Sequence, residues 1–491
     1  MQRPADLFDR ETEWADLDSF VSGQGAGLQI GVVLGRRRQG KSFLLRRIIA
    51  AHQGVYVLAL EEERRPALRR FGRAVAGALG LPEEIALDDW THGLRLALGL
   101  DGPGTGRLVV LDEFPYLLRG APEIQSVIQA IYDEAREDPS GRSAKLIVCG
   151  SAFSVMSELL SGARPLRGRA RLNLLVRPFD FRAARRFWGV EDLDVALRLH
   201  AVVGGTPGYR DLTDGGPQSL AELDSWLESH VLNPSHALFS ETDHLLREDP
   251  RITDRALYQS VLAAIAAGET TPGAMANVLG RDARSLWHPL DVLQTAGFVR
   301  RSEDVLTRRK PVYSVTDPMI RFGLLVVRPR QAMYEERRAA QAWVASQDVF
   351  NSRILGPHFE ELARYWTQRY AAASTLGGAA SFVGSAVLND PAGRARHGID
   401  VVGLADGETL HGRGARVQVL GEAKATKRAR GAADLARLER IRALLAGRGH
   451  DVASTRLMLF SRSGFDRDLR ASARDRTDVE LIDLERLYVG S

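Results

Sequence analysis

The eight residues Gly35, Arg36, Arg37, Arg38, Gln39, Gly40, Lys41 and Ser42 satisfy G-x-x-x-x-G-K-[ST] at each fixed position. An apolar, β-branched run at 28–34 leads into this turn, and the apolar residues of 43–51 recur at helical spacing after it. Strand, glycine-flanked turn and helix in that order are the context the pattern requires, and they commit the start of the chain to an α/β fold. The glycines let successive backbone N–H groups curl around an anion, and the helix N-terminus adds its dipole. With a nucleoside triphosphate bound there, Lys41 reaches the β and γ phosphates and Ser42 ligates Mg2+. Short apolar runs at 55–60, 108–111 and 146–149 alternate with helix-length segments, as in a parallel sheet wrapped by helices.

A Mg2+ shell needs a carboxylate at the tip of a neighbouring strand, and Asp112 supplies it after the run 108–111. Glu113, one step on, is placed to polarise an attacking water, which favours hydrolysis over nucleotide holding alone. Ser151 follows the run 146–149 and is placed to sense the γ phosphate.

With 491 residues the chain should hold roughly two to four cores. Hydrophobic residues at 44% and charged residues at 26% exclude wholesale disorder. A net charge of +4 does not mark the whole chain as nucleic-acid-binding, but it permits local basic faces. Five lysines stand against 61 arginines, so a retained lysine marks a place where a compact ammonium is wanted; Lys41 and Lys424 are two of them. Cys149 is the sole cysteine, which excludes an intramolecular disulfide or a cysteine-based zinc site and leaves a buried thiol. No run approaches the roughly 20 apolar residues of a membrane span, and residues 1–18 carry no apolar signal core. A soluble cytoplasmic protein with no membrane partner is expected.

Past Arg185 helical periodicity continues, broken once at Gly204, Gly205, Pro207 and Gly208, as in a helical lid. Three short helical stretches and two strand-like runs between 256 and 315 suggest a winged helix. Residues 328–342 are polar and charged and read as a linker. From 350 a new helix opens a section with strand-like runs at 399–404, 417–420, 457–460 and 479–484. The expected division is therefore 1–185 for the phosphate-binding core, 186–250 for the lid, 251–327 for the winged helix, 328–349 for the linker and 350–491 for a second α/β domain.

Together these features resemble the archaeal-type ATPases, relatives of the AAA+ and STAND P-loop proteins that also occur in bacteria, over nearly the whole chain. Phe8, Arg10, Glu11 and Glu13 resemble the family's N-terminal box beside the adenine, and Gly150 and Ser151 its sensor strand. Gly168 and Arg169 resemble its Gly-Arg element, and Gly205, Thr206 and Pro207 its G-x-P lid motif, whose proline approaches the nucleotide. Asp317, Pro318, Arg321 and Phe322 resemble the segment that closes the winged helix. The resemblance implies ATP and Mg2+ as cofactors. It makes Arg169 a candidate arginine finger or sensor for charge on the transferred phosphoryl, in cis or in trans.

Glu422 and Lys424 end a strand-like run at i and i+2, which sets carboxylate and ammonium on one face. Asp400, in a preceding strand-like run, and Glu360, on a helix beginning near Phe359, can reach the same place. Asp400 and Glu422 are the expected Mg2+ ligands; the metal lowers the pKa of a bound water, and the lysine orients that water or stabilises departing charge. This is phosphodiester-hydrolysis chemistry. The set resembles the PD-(D/E)xK restriction-endonuclease-like fold, which the same ATPase family often carries at its C-terminus as a domain of uncertain function. Ile399 stands where the pattern's name has proline. An apolar stripe at Leu435, Leu438, Ile441 and Leu445 comes with Arg428, Arg430, Arg437, Arg440 and Arg448, which can track phosphates; Arg301, Arg308 and Arg309 flank the expected wing.

The leading expectation is an Mg2+-dependent ATP-binding and hydrolysing switch that moves lid and winged helix and so controls a C-terminal nuclease-like domain acting on DNA. The alternative is a STAND-like signalling or transcription-regulatory protein with an inert C-terminal domain. A third reading, an AAA+-type ring, needs a homo-oligomer in which Arg169 acts across a subunit boundary.

Overall fold

Strand β1 (Gly27–Leu34) is buried at every position, which only a central strand covered on both faces allows. In the computed structural model it lies between strands that are distant in sequence: β2 (Val55–Leu58), β3 (Leu108–Asp112), β4 (Ser143–Gly150) and β5 (Ala170–Leu175) form one parallel sheet in the order β2-β3-β4-β1-β5. The structure describes residues 2–81, 85–101, 106–138, 142–162, 164–391 and 393–491.

The strand period of two divides the sheet's side chains between two cores. Ile30, Val32, Val109, Leu111, Leu146 and Val148 pack under the helices Arg64–Ala78, Trp90–Leu98 and Ile124–Glu137. Val33, Val110, Ile147 and Cys149 pack under Glu11–Ser22 and Lys41–His52. Asp112, which follows Leu111, faces the second group, on the side of the helix that the phosphate-loop pattern opens. Strand β5 was not evident in the sequence, because its exposed Arg171 and Asn173 alternate with half-buried residues on a sheet edge.

Contacts divide the chain into two units, Met1–Phe179 with Thr206–Tyr209 and His244–Thr253, and Asp180–Gly205 with Arg210–Asp243 and Asp254–Ser491. This differs from the expected lid at 186–250: its middle and its end fold with the first unit, and helix Phe181–Trp188 folds with the second.

In the second unit, helices Phe181–Trp188, Leu193–Val203 and Leu220–Ser229 precede helices Arg255–Ala266, Pro272–Leu279 and Trp287–Thr295 and an antiparallel hairpin, β6 (Val299–Ser302) with β7 (Val312–Val315). The loop joining β6 to β7 is docked, with Val305 and Leu306 buried in the C-terminal core. Val305 N donates to Ser385 O (3.1 Å), and Asp304 Oδ2 accepts from Val387 N (2.7 Å). Arg309 bonds Thr307 (3.0 Å) and Arg301 pairs with Glu303 (3.1 Å), so this loop is a structural staple rather than a free probe.

The stretch expected as a linker at 328–349 is helical, with Gln331–Glu335 and Ala339–Val344 following a π-helical turn at Gly323–Val327. Tyr334, Ala342 and Trp343 are buried, and Trp343 Nε1 donates to Asp224 Oδ1 at 2.7 Å. Arg328, Glu335, Glu336, Arg337 and Arg338 face solvent, and their density hides the apolar positions in the sequence.

The C-terminal sheet has the order β12-β11-β10-β9-β8, formed by β8 (Ala380–Asp390), β9 (Ala395–Ala405), β10 (Val417–Lys424), β11 (Arg456–Ser461) and β12 (Val479–Ile482). The β8-β9-β10 part is antiparallel; β10-β11-β12 is parallel, with helices Ala432–Ala446 and Arg467–Arg474 as crossovers. Leu435, Leu438, Ile441 and Leu445 form the buried stripe of the first crossover. Edge strand β8 escaped the sequence reading because it buries only Ala386 and Leu388 and shifts register twice.

Candidate functional site

The phosphate loop follows β1 and is held in shape by its own side chains. Arg38 (φ +63°) and Gly40 (φ +86°) adopt left-handed backbone, which Gly40 takes without a steric cost. A Cβ at Gly35 would lie 2.4 Å from Val176 O, so the loop enters against the backbone beyond β5 and only glycine fits. Gln39 Oε1 accepts from Arg36 N (2.8 Å), and Lys41 Nζ donates to Arg36 O (3.0 Å), which keeps the ammonium at the loop.

Arg10 fastens the N-terminal segment to the loop. Its Nη2 donates to Gln39 O (3.1 Å) and Arg177 O (2.8 Å), its Nη1 pairs with Glu13 (2.7 Å), and the guanidinium sits 4.5 Å over the Phe179 ring. Thr206–Tyr209 returns to the loop: Gly208 N donates to Arg38 O (3.0 Å), and Pro207 lies 4.0 Å from where a Gly40 Cβ would stand. Arg37 meets Glu248 (3.3 Å), and Ser154 Oγ donates to Asp249 (2.6 Å), which anchors the His244–Thr253 segment.

Asp112, fully buried, is flanked from both neighbouring strands. Tyr56 Oη on β2 donates to Asp112 Oδ2 (2.5 Å), and Glu113 N donates to Oδ1 (2.9 Å). The Cys149 thiol on β4 lies close to Asp112; burial pushes that thiol well above its usual range, and the carboxylate charge adds to this. Burial likewise raises the Tyr56 phenol, and the Asp112 bond raises it further. The phenol therefore stays protonated and keeps donating to Asp112. Glu113 sits in left-handed backbone (φ +53°), a conformation costing about 1–2 kcal/mol in a non-glycine residue, and its Oε2 accepts from Ser151 Oγ (3.0 Å). The order β3-β4-β1 places Ser151, beyond β4, between the strand ends that carry Glu113 and the loop. Ser42 and Asp112 are hard oxygen donors of the kind Mg2+ takes.

A second group of charged residues gathers on the C-terminal sheet. Lys424 Nζ lies 2.9 Å from Asp400 Oδ2 on β9 and 2.7 Å from Glu422 Oε1, and Ala423 N also donates to Asp400 Oδ2 (2.9 Å). Burial works to lower the Lys424 ammonium, but Asp400 and Glu422 outweigh it and keep it above its usual range. Glu360, on helix Gly356–Arg369, joins them: burial pushes its carboxyl up to about 7, with Asp400 adding to this against Arg364 and Lys424. Arg364, one turn on, donates to Asp400 O (2.8 Å). Asp400, Glu422 and Lys424 thus meet within hydrogen-bond reach, and Glu360 lies near enough to feel their charge. Among the described residues, however, no three His, Cys, Asp or Glu side chains form a group able to hold a metal ion. The donor chemistry suits Mg2+, but Lys424 engages both carboxylates and Arg437 pairs with Glu422 from the crossover helix.

That contact corrects part of the phosphate-tracking expectation. Arg437 turns to Glu422 and Gly398 O (2.8 Å), Arg430 pairs with Asp434 (3.0 Å), and Arg448 bonds Asn389 O. Arg428 and Arg440 remain exposed.

Residues 7–194 match a family of ATPase domains found predominantly in Archaea. This part of the chain is a P-loop ATPase domain. An uncharacterized protein of Methanocaldococcus jannaschii is 25% identical over 334 residues, 67% of this chain and 70% of its own. The Walker-type ATPase of Pyrococcus abyssi has a TM-score of 0.48 at 20% identity, covering 66% of this chain and 97% of that one. The ORC2 protein of Aeropyrum pernix, in its ADPNP and ADP complexes, has a TM-score of 0.43 at 16% identity, covering 70% and 97%.

Within the ATPase domain, Arg169 lies away from the phosphate loop. It precedes β5, whose Ala170 stands beside Ile30 and whose Leu175 stands beside Leu34. At about 3.3 Å per residue this puts it roughly 17 Å below the end of β1 along the strands. Its guanidinium pairs with Asp133 (3.1 Å), donates to Pro165 O (2.9 Å) and lies 5.7 Å from the Tyr132 ring. A finger acting in cis is therefore excluded by strand direction. The sequence reading missed Tyr56 and the nearness of Cys149 to Asp112. Tyr56 stands second in an apolar run without any motif, and only the adjacency of β2 to β3 gives it a role.

No helix among the described residues is long and apolar enough to cross a membrane.

Proposed function

We propose that the chain is an Mg2+-dependent ATPase switch whose nucleotide state is passed to a C-terminal nuclease-like domain that acts on DNA. The observation that carries the ATPase half is the single cluster of phosphate loop, Asp112, Glu113 and Ser151 in the matched domain. Lys41 binds the β and γ phosphates, and Ser42 and Asp112 hold the cation, which neutralises charge on the phosphates when bound. Glu113 takes a proton from the attacking water, and Ser151 fixes the carboxylate's direction. Lys41→Ala should abolish nucleotide binding and turnover; unchanged ATPase activity in that variant would discredit the assignment.

The nuclease-like half is supported by the mixed sheet order and by the meeting of Glu360, Asp400, Glu422 and Lys424. Asp400 and Glu422 would hold Mg2+, which activates a water for attack on a phosphodiester, and Lys424 would orient that water. The helices and hairpin of 251–327 support a winged-helix reading, in which the docked wing transmits motion and does not read bases. Plasmid incubated with Mg2+ and either ATP or ADP, with Asp400→Ala and Glu422→Ala as controls, tests this half: nicking that both variants lose supports it.

A second reading, a STAND-like regulator with an inert C-terminal domain, is favoured by one observation, the engagement of Glu422 by both Lys424 and Arg437. Absence of nicking in every nucleotide state, with ATP turnover intact, decides for it. A ring assembly would give Arg169 a site across a subunit boundary, and mass in solution with and without ATP tests that.

A further inference from the structure

The proposed ATPase mechanism assigns Asp112 to the cation and leaves open what aims it. Asp112 Oδ1 is taken by the neighbouring Glu113 N–H (2.9 Å), and Oδ2 by the Tyr56 hydroxyl (2.5 Å). Tyr56 and Asp112 share the sheet face covered by helix Lys41–His52, and the pairing of β2 with β3 sets Leu58 beside Asp112, two residues beyond Tyr56. The phenol is steadied from that helix: the Arg46 guanidinium stands 5.1 Å from the Tyr56 ring. Arg46 is one helical turn beyond Ser42, so both project from the same side of the helix. Ser42, Arg46, Tyr56 and Asp112 thereby form a circuit from the hydroxyl expected on the cation to the carboxylate expected on it.

The chemistry of the link matters. An arginine or lysine in place of Tyr56 would orient Asp112 but also cancel its charge and repel a divalent cation. A phenol fixes the carboxylate through one hydrogen bond and leaves its negative charge available. Phenylalanine would keep the ring beneath Arg46 and lose only the bond.

We propose that Tyr56 is a positioning residue for the Mg2+ carboxylate, holding Asp112 toward the cation, with Arg46 steadying the phenol. The proposal rests on the ATPase reading of the same site. Groups that orient a metal ligand from behind typically change metal affinity or activity by 10- to 100-fold when removed.

The test measures binding of a fluorescent ADP analogue across a Mg2+ titration and in EDTA, beside steady-state ATP turnover, for wild type, Tyr56→Phe and Arg46→Ala. In Tyr56→Phe the half-saturating Mg2+ concentration should rise about tenfold, while affinity in EDTA stays within about twofold, because the loop that grips the phosphates is untouched. Arg46→Ala should shift Mg2+ dependence in the same direction by less, and it carries the test if Tyr56→Phe does not fold. Equal Mg2+ dependence in wild type and in both variants, or tighter Mg2+ coupling in Tyr56→Phe, overturns the proposal alone. A wild type whose nucleotide affinity and turnover ignore Mg2+ overturns it together with the ATPase reading.

Discussion

Arg321 Nη2 lies 3.1 and 3.2 Å from the two carboxylate oxygens of Glu361, the residue after Glu360 on helix Gly356–Arg369. The same helix is held on another side by His358, whose Nε2 is 2.9 Å from Nδ1 of His200 on helix Leu193–Val203. Asp194, on that second helix, pairs with Arg462 beyond β11. From Val203 the chain runs through Gly204 (φ +62°) directly into Thr206–Tyr209, the segment packed on the phosphate loop. The segment packed on the phosphate loop is thus continuous in sequence with the helix whose His200 meets the helix that carries Glu360.

Arg321→Ala should cut this path at one grip. The buried guanidinium also donates to Val315 O (2.6 Å), so the variant loosens both the end of β7 and the Glu360 helix. Amide exchange in Gly356–Arg369 should differ between ATP-loaded and ADP-loaded wild type, and the difference should shrink in the variant while ATP turnover is kept. An equal nucleotide response in both proteins removes Arg321 from the route.

Glu113→Gln retains the side chain's shape and its bond from Ser151 but cannot accept the water's proton. Turnover should fall roughly 100-fold or more, in keeping with the usual worth of a general base, with nucleotide affinity unchanged. Ser151→Ala should cost less, since it frees the carboxylate's direction without removing it. A Ser151→Ala variant slower than Glu113→Gln would reverse their roles.

The phosphate loop, Asp112, Glu113 and the strand-end pair Glu422 and Lys424 were legible in the sequence, because each is fixed by spacing within one turn or strand. Side chains that reach Asp112 across the sheet without belonging to a motif were not. Tyr56 meets Asp112 from 56 positions away, and Cys149 meets it from β4, which pairs with β3 and β1. The cis half of the Arg169 expectation failed for a related reason: a Gly-Arg pair beside a strand does not reveal which end of the sheet it occupies. Segment 328–349 hid its helices behind solvent-facing charge, and edge strand β8 buries too few residues to show a pattern.

Burial holds the His200 imidazole down at about 4, against opposing pulls from Asp180 and Glu361, and pushes His358 well below its ordinary value, with His200 and Arg321 adding to the effect. Unfolded imidazole takes up its proton near 6.5, folded His200 only near 4, so the unfolded state binds more protons between those values. The stabilising contribution is complete above pH 6.5 and declines as pH falls toward 4, by on the order of 3 kcal/mol for His200. Unfolding of the second unit, followed by exchange of helix Gly356–Arg369, should accelerate over that range. His200→Gln should flatten the profile, and an unaltered profile in that variant removes the histidine pair as its cause.

The docked wing makes a separate claim. Val305 is 3% exposed and packs with Leu388 and Val402 in the C-terminal core, whereas Arg308 faces solvent. Val305→Asp places an unpaired charge there and should destabilise the second unit by more than about 3 kcal/mol. Exchange at Ser385–Leu388 should rise first, since the Val305 and Asp304 bonds end there. Arg308→Ala should leave it unchanged. Equal protection in wild type and Val305→Asp would show that the wing is free after all.

Arg437 offers the sharpest test of the C-terminal site. Its guanidinium contacts Glu422 on the lobe opposite Lys424, so two cations share a carboxylate proposed for a metal. Removing one of them lowers the positive charge that Mg2+ or Mn2+ must meet and frees a lobe of Glu422. If the carboxylates form a metal site, Arg437→Ala should bind Mn2+ several-fold more tightly than wild type in nucleotide-free calorimetry, and Asp400→Ala should abolish that binding. Weaker binding in Arg437→Ala would make the arginine an aiming group for Glu422 instead of a competitor. Silence in both Arg437→Ala and wild type would favour the regulator, with Lys424, Asp400 and Glu422 serving as a structural ion-pair network.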